Sequence, residues 1–179
     1  MRPERYLTYL CGERDGRRQR LTMATEKLAH WAVNLSYSDL PPDVIQAAVR
    51  SFYNWAGCAL GGSCHPTAMA AYKALAPFFG KPTSTLLGHK DGENARIDAS
   101  HAALLNGIAS HGHDYDDTHL ETIIHPTGPV ASALLAQSEA IDDVRGEDFV
   151  LSLVAGIEAE CKFGLGVWPN HYDIGWSVM

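Results

Sequence analysis

PPDVIQAAVRSFYNWAGCALGG, residues Pro41–Gly62, is the stretch that decides the fold class. Val44, Ile45, Ala48, Val49, Phe52, Trp55, Ala56 and Ala59 recur at i, i+3 and i+4, which places them on one face of a helix. Pro42 suits a first helical position, where a backbone N–H has no partner to lose, and Gly61-Gly62 is a stop signal. The pattern predicts one long, strongly apolar helix. Its Trp and Phe stripe reads as core.

The same period continues on both sides. Upstream, regular structure is expected from Met23, where Ala24-Thr25-Glu26-Lys27 opens a helix with Leu28, Trp31, Ala32 and Leu35 on one face. Downstream, Pro66-Thr67 begins a helix to about Phe79, with Ala68, Ala71, Tyr72 and Leu75 aligned and Pro77 set to bend or end it. Thr83–Gly88 is short and strand-like. Asp98 can cap a helix reaching about Ser110. Gly128-Pro129 starts another helix to about Ala140, and Gly146–Lys162 is a further one. Five or six helices with almost no sheet make an all-α domain over residues 23–179. Residues 1–22 are Arg-rich without sustained periodicity, and they are expected to be a disordered or mis-called extension.

Composition narrows the function classes. The 179 residues are 46% hydrophobic and 20% charged, enough for a single hydrophobic core. Residues 1–20 hold six Arg against Glu4, Glu13 and Asp15, a local +3, so with a net charge of −7 the rest sits near −10. Such acidity excludes nucleic acid as the main partner, because phosphate binding rests on clustered Lys and Arg. Gly, Pro or charge interrupts every apolar run, so no membrane span is expected. Cys11, Cys58, Cys64 and Cys161 form no C-x-x-C pair and are expected to be buried free thiols in the cytoplasm, with the mitochondrion as alternative.

Chemistry concentrates in one loop. Five of nine histidines lie within residues 101–125 (His101, His111, His113, His119 and His125), interleaved with Asp114, Asp116, Asp117 and Glu121. Imidazole and carboxylate groups together suit two tasks. They can ligate a divalent metal, which would suit a hydrolase, or a His can move a proton while an Asp orients it. No H-E-x-x-H, G-x-S-x-G or phosphate-cradling Gly loop is present. His30, His65, His89 and His171 read as capping or surface residues, and His113 and His119 are undecided.

Asn106-Gly-Ile-Ala-Ser-His111, Asp114-Tyr-Asp-Asp-Thr118-His119 and His125-Pro126-Thr-Gly-Pro-Val130 together resemble the signature of the MmgE/PrpD family. That family includes 2-methylcitrate dehydratase and cis-aconitate decarboxylase. Ala29-His30-Trp31, the Asp43–Gly62 helix and Gly156-Ile-Glu158 agree with it, so the resemblance runs from about Met23 to the C-terminus. It implies a helical domain whose site handles small polycarboxylates without metal or other cofactor. It further implies that His125 gives or takes a proton beside a carboxylate, that Thr118 hydrogen-bonds the substrate and that Asp114 positions these groups. A homodimer is the family's default.

Family members are longer, with a second α/β domain, and the lysines that help hold substrate lie downstream of Met179. Where they tend to show Gly-Trp/Phe-His-x-Thr, this chain has Gly175-Trp176-Ser177-Val178-Met179. The helical domain is therefore expected to be truncated and inactive alone, since a polyanion among carboxylates without a cation is repelled. A non-catalytic scaffold pairing with a full-length paralogue through exposed Trp55, Trp168 and Trp176 is the alternative expectation.

Overall fold

Pro41 is extended and Pro42 starts a 21-residue apolar helix in a computed structural model of the chain, which describes residues 17–89, 96–141 and 143–175. The chain divides into two units, residues 1–36 and 37–179. The described part of the first holds one helix, α1 (Arg17–Asn34). It begins six residues before Met23, because Arg and Gln sustain a helix without marking an apolar face. The remainder of the expected N-terminal extension, residues 1–16, lies outside the described residues.

The second unit opens with a 3₁₀ turn (Tyr37–Asp39), followed by α2 (Pro42–Gly62) and α3 (Pro66–Leu75). His65 caps α3, its Nδ1 accepting from Thr67 N at 3.3 Å. The helix expected to reach Phe79 ends at Leu75 and tightens into a 3₁₀ turn, Ala76–Phe78, where Pro77 has no N–H to give. Strand β1 (Ser84–Thr85) pairs antiparallel with β2 (Arg96–Ile97). Helices α4 (Ala99–His111), α5 (Thr127–Ala140), α6 (Gly146–Val167) and α7 (Asn170–Asp173) complete an all-α architecture.

Helices α4 and α5 form the most extensive helix pair, and α2 lies across α4. The approach of α2 to α4 requires glycine: a Cβ on Gly62 would sit 2.0 Å from the Ala109 carbonyl oxygen. Leu86, Ile97, Ala102, Leu105 and Ala136 make a core cluster that joins the ribbon to α4 and α5. Buried Asn106 accepts from Leu87 N at 3.0 Å and donates to Thr85 O at 2.9 Å, so a polar side chain closes the ribbon's unpaired edge. Glu139 accepts from Thr85 Oγ1 at 2.7 Å, tying the ribbon to α5.

Two expectations require correction. Trp55 does not face outward: it is 1% exposed, and its Nε1 donates to Ser132 Oγ of α5 at 3.0 Å. Burial of a ring whose N–H finds a partner is the ordinary fate of an indole on a core-facing helix stripe. Trp168 is half-buried, while Trp176 and Ser177 lie outside the described residues. Nor are all the thiols buried, since Cys64 is exposed and Cys58 and Cys161 are half-buried, though all three are free.

Candidate functional site

The segment between α4 and α5 is held at several points. Asn54 Nδ2 of α2 donates to Tyr115 O at 3.4 Å. His119 and Ile124 form an antiparallel bridge, with His119 N donating to Ile124 O at 2.8 Å. The turn between them places Ile123 at φ +57°, a conformation β-branched residues seldom adopt. Thr122 and Ile124 are buried against α6, where a Cβ on Gly164 would meet Ile124 Cδ1 at 3.0 Å. Thr127 Oγ1, at the start of α5, donates to Asp117 Oδ2 at 2.6 Å. Such bracing holds loop side chains in place relative to the helices.

Within this frame five side chains converge. His111, at the end of α4, has Nδ1 3.1 Å from both oxygens of Asp116. The Nδ1 of His125 lies 3.5 Å from Asp116 Oδ2 and 3.5 Å from Thr118 Oγ1. Its Nε2 lies 3.8 Å from Asp114 Oδ1. The rings of His111 and His125 are 4.7 Å apart. The side chain of Asp116 is 2% exposed and that of His125 is 11% exposed, whereas that of Asp114 is 74% exposed. Asp114 adopts φ +56°, which Asp tolerates better than most residues. Aspartates 114 and 116 therefore meet His125 on different nitrogens, one from solvent and one from the interior.

A buried carboxylate against Nδ1 favours the N–H tautomer there and leaves Nε2 as the working nitrogen, on the side of exposed Asp114. The expected trio of His125, Asp114 and Thr118 is thus brought together. The sequence reading missed the inward placement of Asp116, which lies between two imidazoles, and the place of His111 beside it. The other histidines are elsewhere. His113 stacks on Tyr115 at 5.8 Å, and His119 Nδ1 lies 2.7 Å from Thr122 Oγ1. His101 pairs with Asp98 at 2.7 Å as part of the α4 cap. Burial raises the Asp98 carboxyl, but hydrogen bonds from Gly80 N and His101 outweigh it and hold the group at about 2.

Anionic character extends behind the loop. Burial, and then the neighbouring Asp117 carboxylate, push Glu160 of α6 up to about 7. Burial likewise raises Cys58, with Asp116 and Asp117 adding to it. Ligand atoms from His111, Asp114, Asp116 and His125 all lie within 4.8 Å of one another, close enough to share a metal ion. No described helix is long and apolar enough to cross a membrane.

Residues 26–178 match the MmgE/PrpD N-terminal domain. The chain is 29% identical over 159 residues to the cis-aconitate decarboxylase-like protein oryM of Aspergillus oryzae, covering 85% of this chain and 32% of that protein. It is 25% identical over 157 residues to a cis-aconitate decarboxylase of Aspergillus terreus, covering 85% and 31%. To the human cis-aconitate decarboxylase it is 31% identical over 144 residues, covering 78% and 29%. The chain spans about a third of the length of these relatives.

Proposed function

Because the chain belongs to the MmgE/PrpD family, we propose that it carries the proton-transfer part of a lyase site for small polycarboxylates, with cis-aconitate as substrate. The observation that carries this reading is His125 held between Asp116 on Nδ1 and Asp114 on Nε2. In decarboxylation the bond from carbon to a carboxylate breaks, carbon dioxide leaves and the electron pair stays on the carbon skeleton. His125 supplies the proton that this carbon takes up and recovers one from solvent. Asp116, facing Nδ1, fixes the orientation of the ring. Thr118 hydrogen-bonds a substrate oxygen, and Asp114 positions the reacting groups. The step needs no metal. Dehydration of 2-methylcitrate uses the same proton-transfer groups and is the other substrate reading within the family.

The site pairs imidazoles with carboxylates, so a polyanionic substrate needs cations from elsewhere in the functional enzyme. The isolated 179-residue chain accordingly turns over negligibly. The test is to isolate the protein from its native source, measure its intact mass and supply cis-aconitate and 2-methylcitrate separately. Carbon dioxide release from cis-aconitate is expected. Water loss from 2-methylcitrate alone would move the substrate assignment, and reaction with neither would overturn the lyase reading.

A second reading, a helical scaffold that pairs with a second copy or a full-length relative, is favoured by Tyr53, Tyr115 and Leu120, which are 82%, 76% and 87% exposed. Sedimentation of the purified chain as a monomer at all concentrations would remove the self-pairing form.

A further inference from the structure

We propose that His111, Asp114, Asp116 and His125 form a binding site for a zinc-class divalent transition metal, and that its occupancy blocks proton transfer. Two imidazole nitrogens and two carboxylate oxygens are a donor set that zinc accepts in four-coordinate sites. With bonds of 2.0–2.1 Å, the edge of a tetrahedron of ligands is about 3.3 Å. His111 Nδ1 and His125 Nδ1 lie 3.1 and 3.5 Å from Asp116 Oδ2, on either side of that value. The complete four-ligand set falls within 4.8 Å, so small side-chain rotations bring it around one ion.

Access and charge fit as well. Asp114 is 74% exposed and marks an open side, while Asp116 is 2% exposed and anchors the inner one. Two carboxylates neutralise a dication, and an ion held by Nδ1 of His111, Nδ1 of His125 and Asp116 completes its shell when exposed Asp114 turns in from the Nε2 side. Magnesium and calcium are poor fits, because they prefer six or more oxygen ligands.

Blocking follows from the lone pairs. When protonated, Nδ1 of His111 hydrogen-bonds the Asp116 carboxylate and Nδ1 of His125 faces it at 3.5 Å. As metal ligands they must offer lone pairs instead, so the proton-transfer arrangement and the metal-bound one exclude each other. The inhibitory half of this inference rests on the lyase reading above, whereas binding itself does not.

Calorimetric titration of the purified chain with zinc chloride, and separately with magnesium chloride, tests the site. One zinc per chain is expected, with Asp114→Asn and His111→Ala each weakening it at least about tenfold while helical circular dichroism is unchanged. His30→Ala, at an exposed position on α1, is expected to bind as the parent does. Asp114→Asn removes an exposed carboxylate and keeps the test valid should His111→Ala fail to fold. No stoichiometric zinc, equal magnesium binding, or zinc binding indifferent to Asp114→Asn would overturn the site. In the functional enzyme, chelator-reversible inhibition by zinc is expected. Zinc binding without inhibition of an active enzyme would overturn only the blocking role, and absence of lyase activity with intact zinc binding would fault the lyase reading instead.

Discussion

Asp116 places Oδ2 3.5 Å from Nδ1 of His125, with the carboxylate 2% exposed and the imidazole 11% exposed. The pair is sheltered enough for its electrostatics to matter, yet Nε2 remains on the side of solvent-exposed Asp114. Gly128 of α5 lies close by: a Cβ there would make ordinary contact with Ser110 Oγ at 3.4 Å and Asp116 Oδ2 at 3.8 Å.

Asp116→Asn in the functional enzyme keeps the shape and removes the negative charge beside His125. The expected result is a kcat about 100-fold lower or worse, with KM little changed, because the lost interaction strengthens as the imidazole gains charge. A kcat within twofold of the parent would show that Asp116 does not assist His125.

Thr127→Val tests the loop's attachment to α5. Thr127 is fully buried and donates to Asp117 Oδ2 at 2.6 Å, so the isosteric change leaves a sheltered carboxylate oxygen without its donor. A loss of about 1–3 kcal/mol in chemical denaturation is expected. An unchanged midpoint would mean that solvent replaces the hydroxyl at no cost.

Gly62→Ala and Gly57→Ala give a matched contrast on α2. At Gly62 a Cβ would meet the Ala109 carbonyl oxygen at 2.0 Å, whereas at Gly57 it would meet nothing within 4 Å. Gly62→Ala is expected to destabilise by about 2 kcal/mol or more through forced separation of α2 and α4. Gly57→Ala is expected to stabilise by up to about 1 kcal/mol, since Ala is the better helix former. Equal effects in thermal melts would contradict the close approach of the two helices.

Glu160 sets a pH dependence of stability. Its carboxyl is raised from 4.5 to about 7, so between those values the unfolded chain has released a proton that the folded chain still holds. Folding stability from this group therefore falls as pH rises from about 4.5 to about 7 and levels off above. Glu160→Gln, measured by urea denaturation across that range, is expected to remove the decline and to leave the variant relatively more stable at pH 8. A parallel pH profile would show that the burial and the Asp117 charge do not act on Glu160.

Much of this was legible because the helices advertise a single period. Val44 through Ala59 mark α2, Asp98 marks the cap of α4, and Pro66 marks the start of α3. What escaped had weak local signals. Arg17–Thr22 continues α1 with charged residues that show no face, β2 is two residues long, and α7 is a single turn. Within the site, Asp114, Asp116 and Asp117 are alike in sequence. Only the folded loop, with Asp114 at φ +56°, separates an exposed carboxylate from a buried one. The core reading of Trp55 holds, and the alternative that set it at a docking face fails, since its indole is buried against Ser132, 77 residues away.

In the proposed lyase reaction, His125 moves the proton. Its most direct test is carbon dioxide release from cis-aconitate by the native protein and its His125→Gln variant, both verified as folded. Release by the parent and a loss of at least about 100-fold in the variant are expected. Undiminished release by His125→Gln would contradict it.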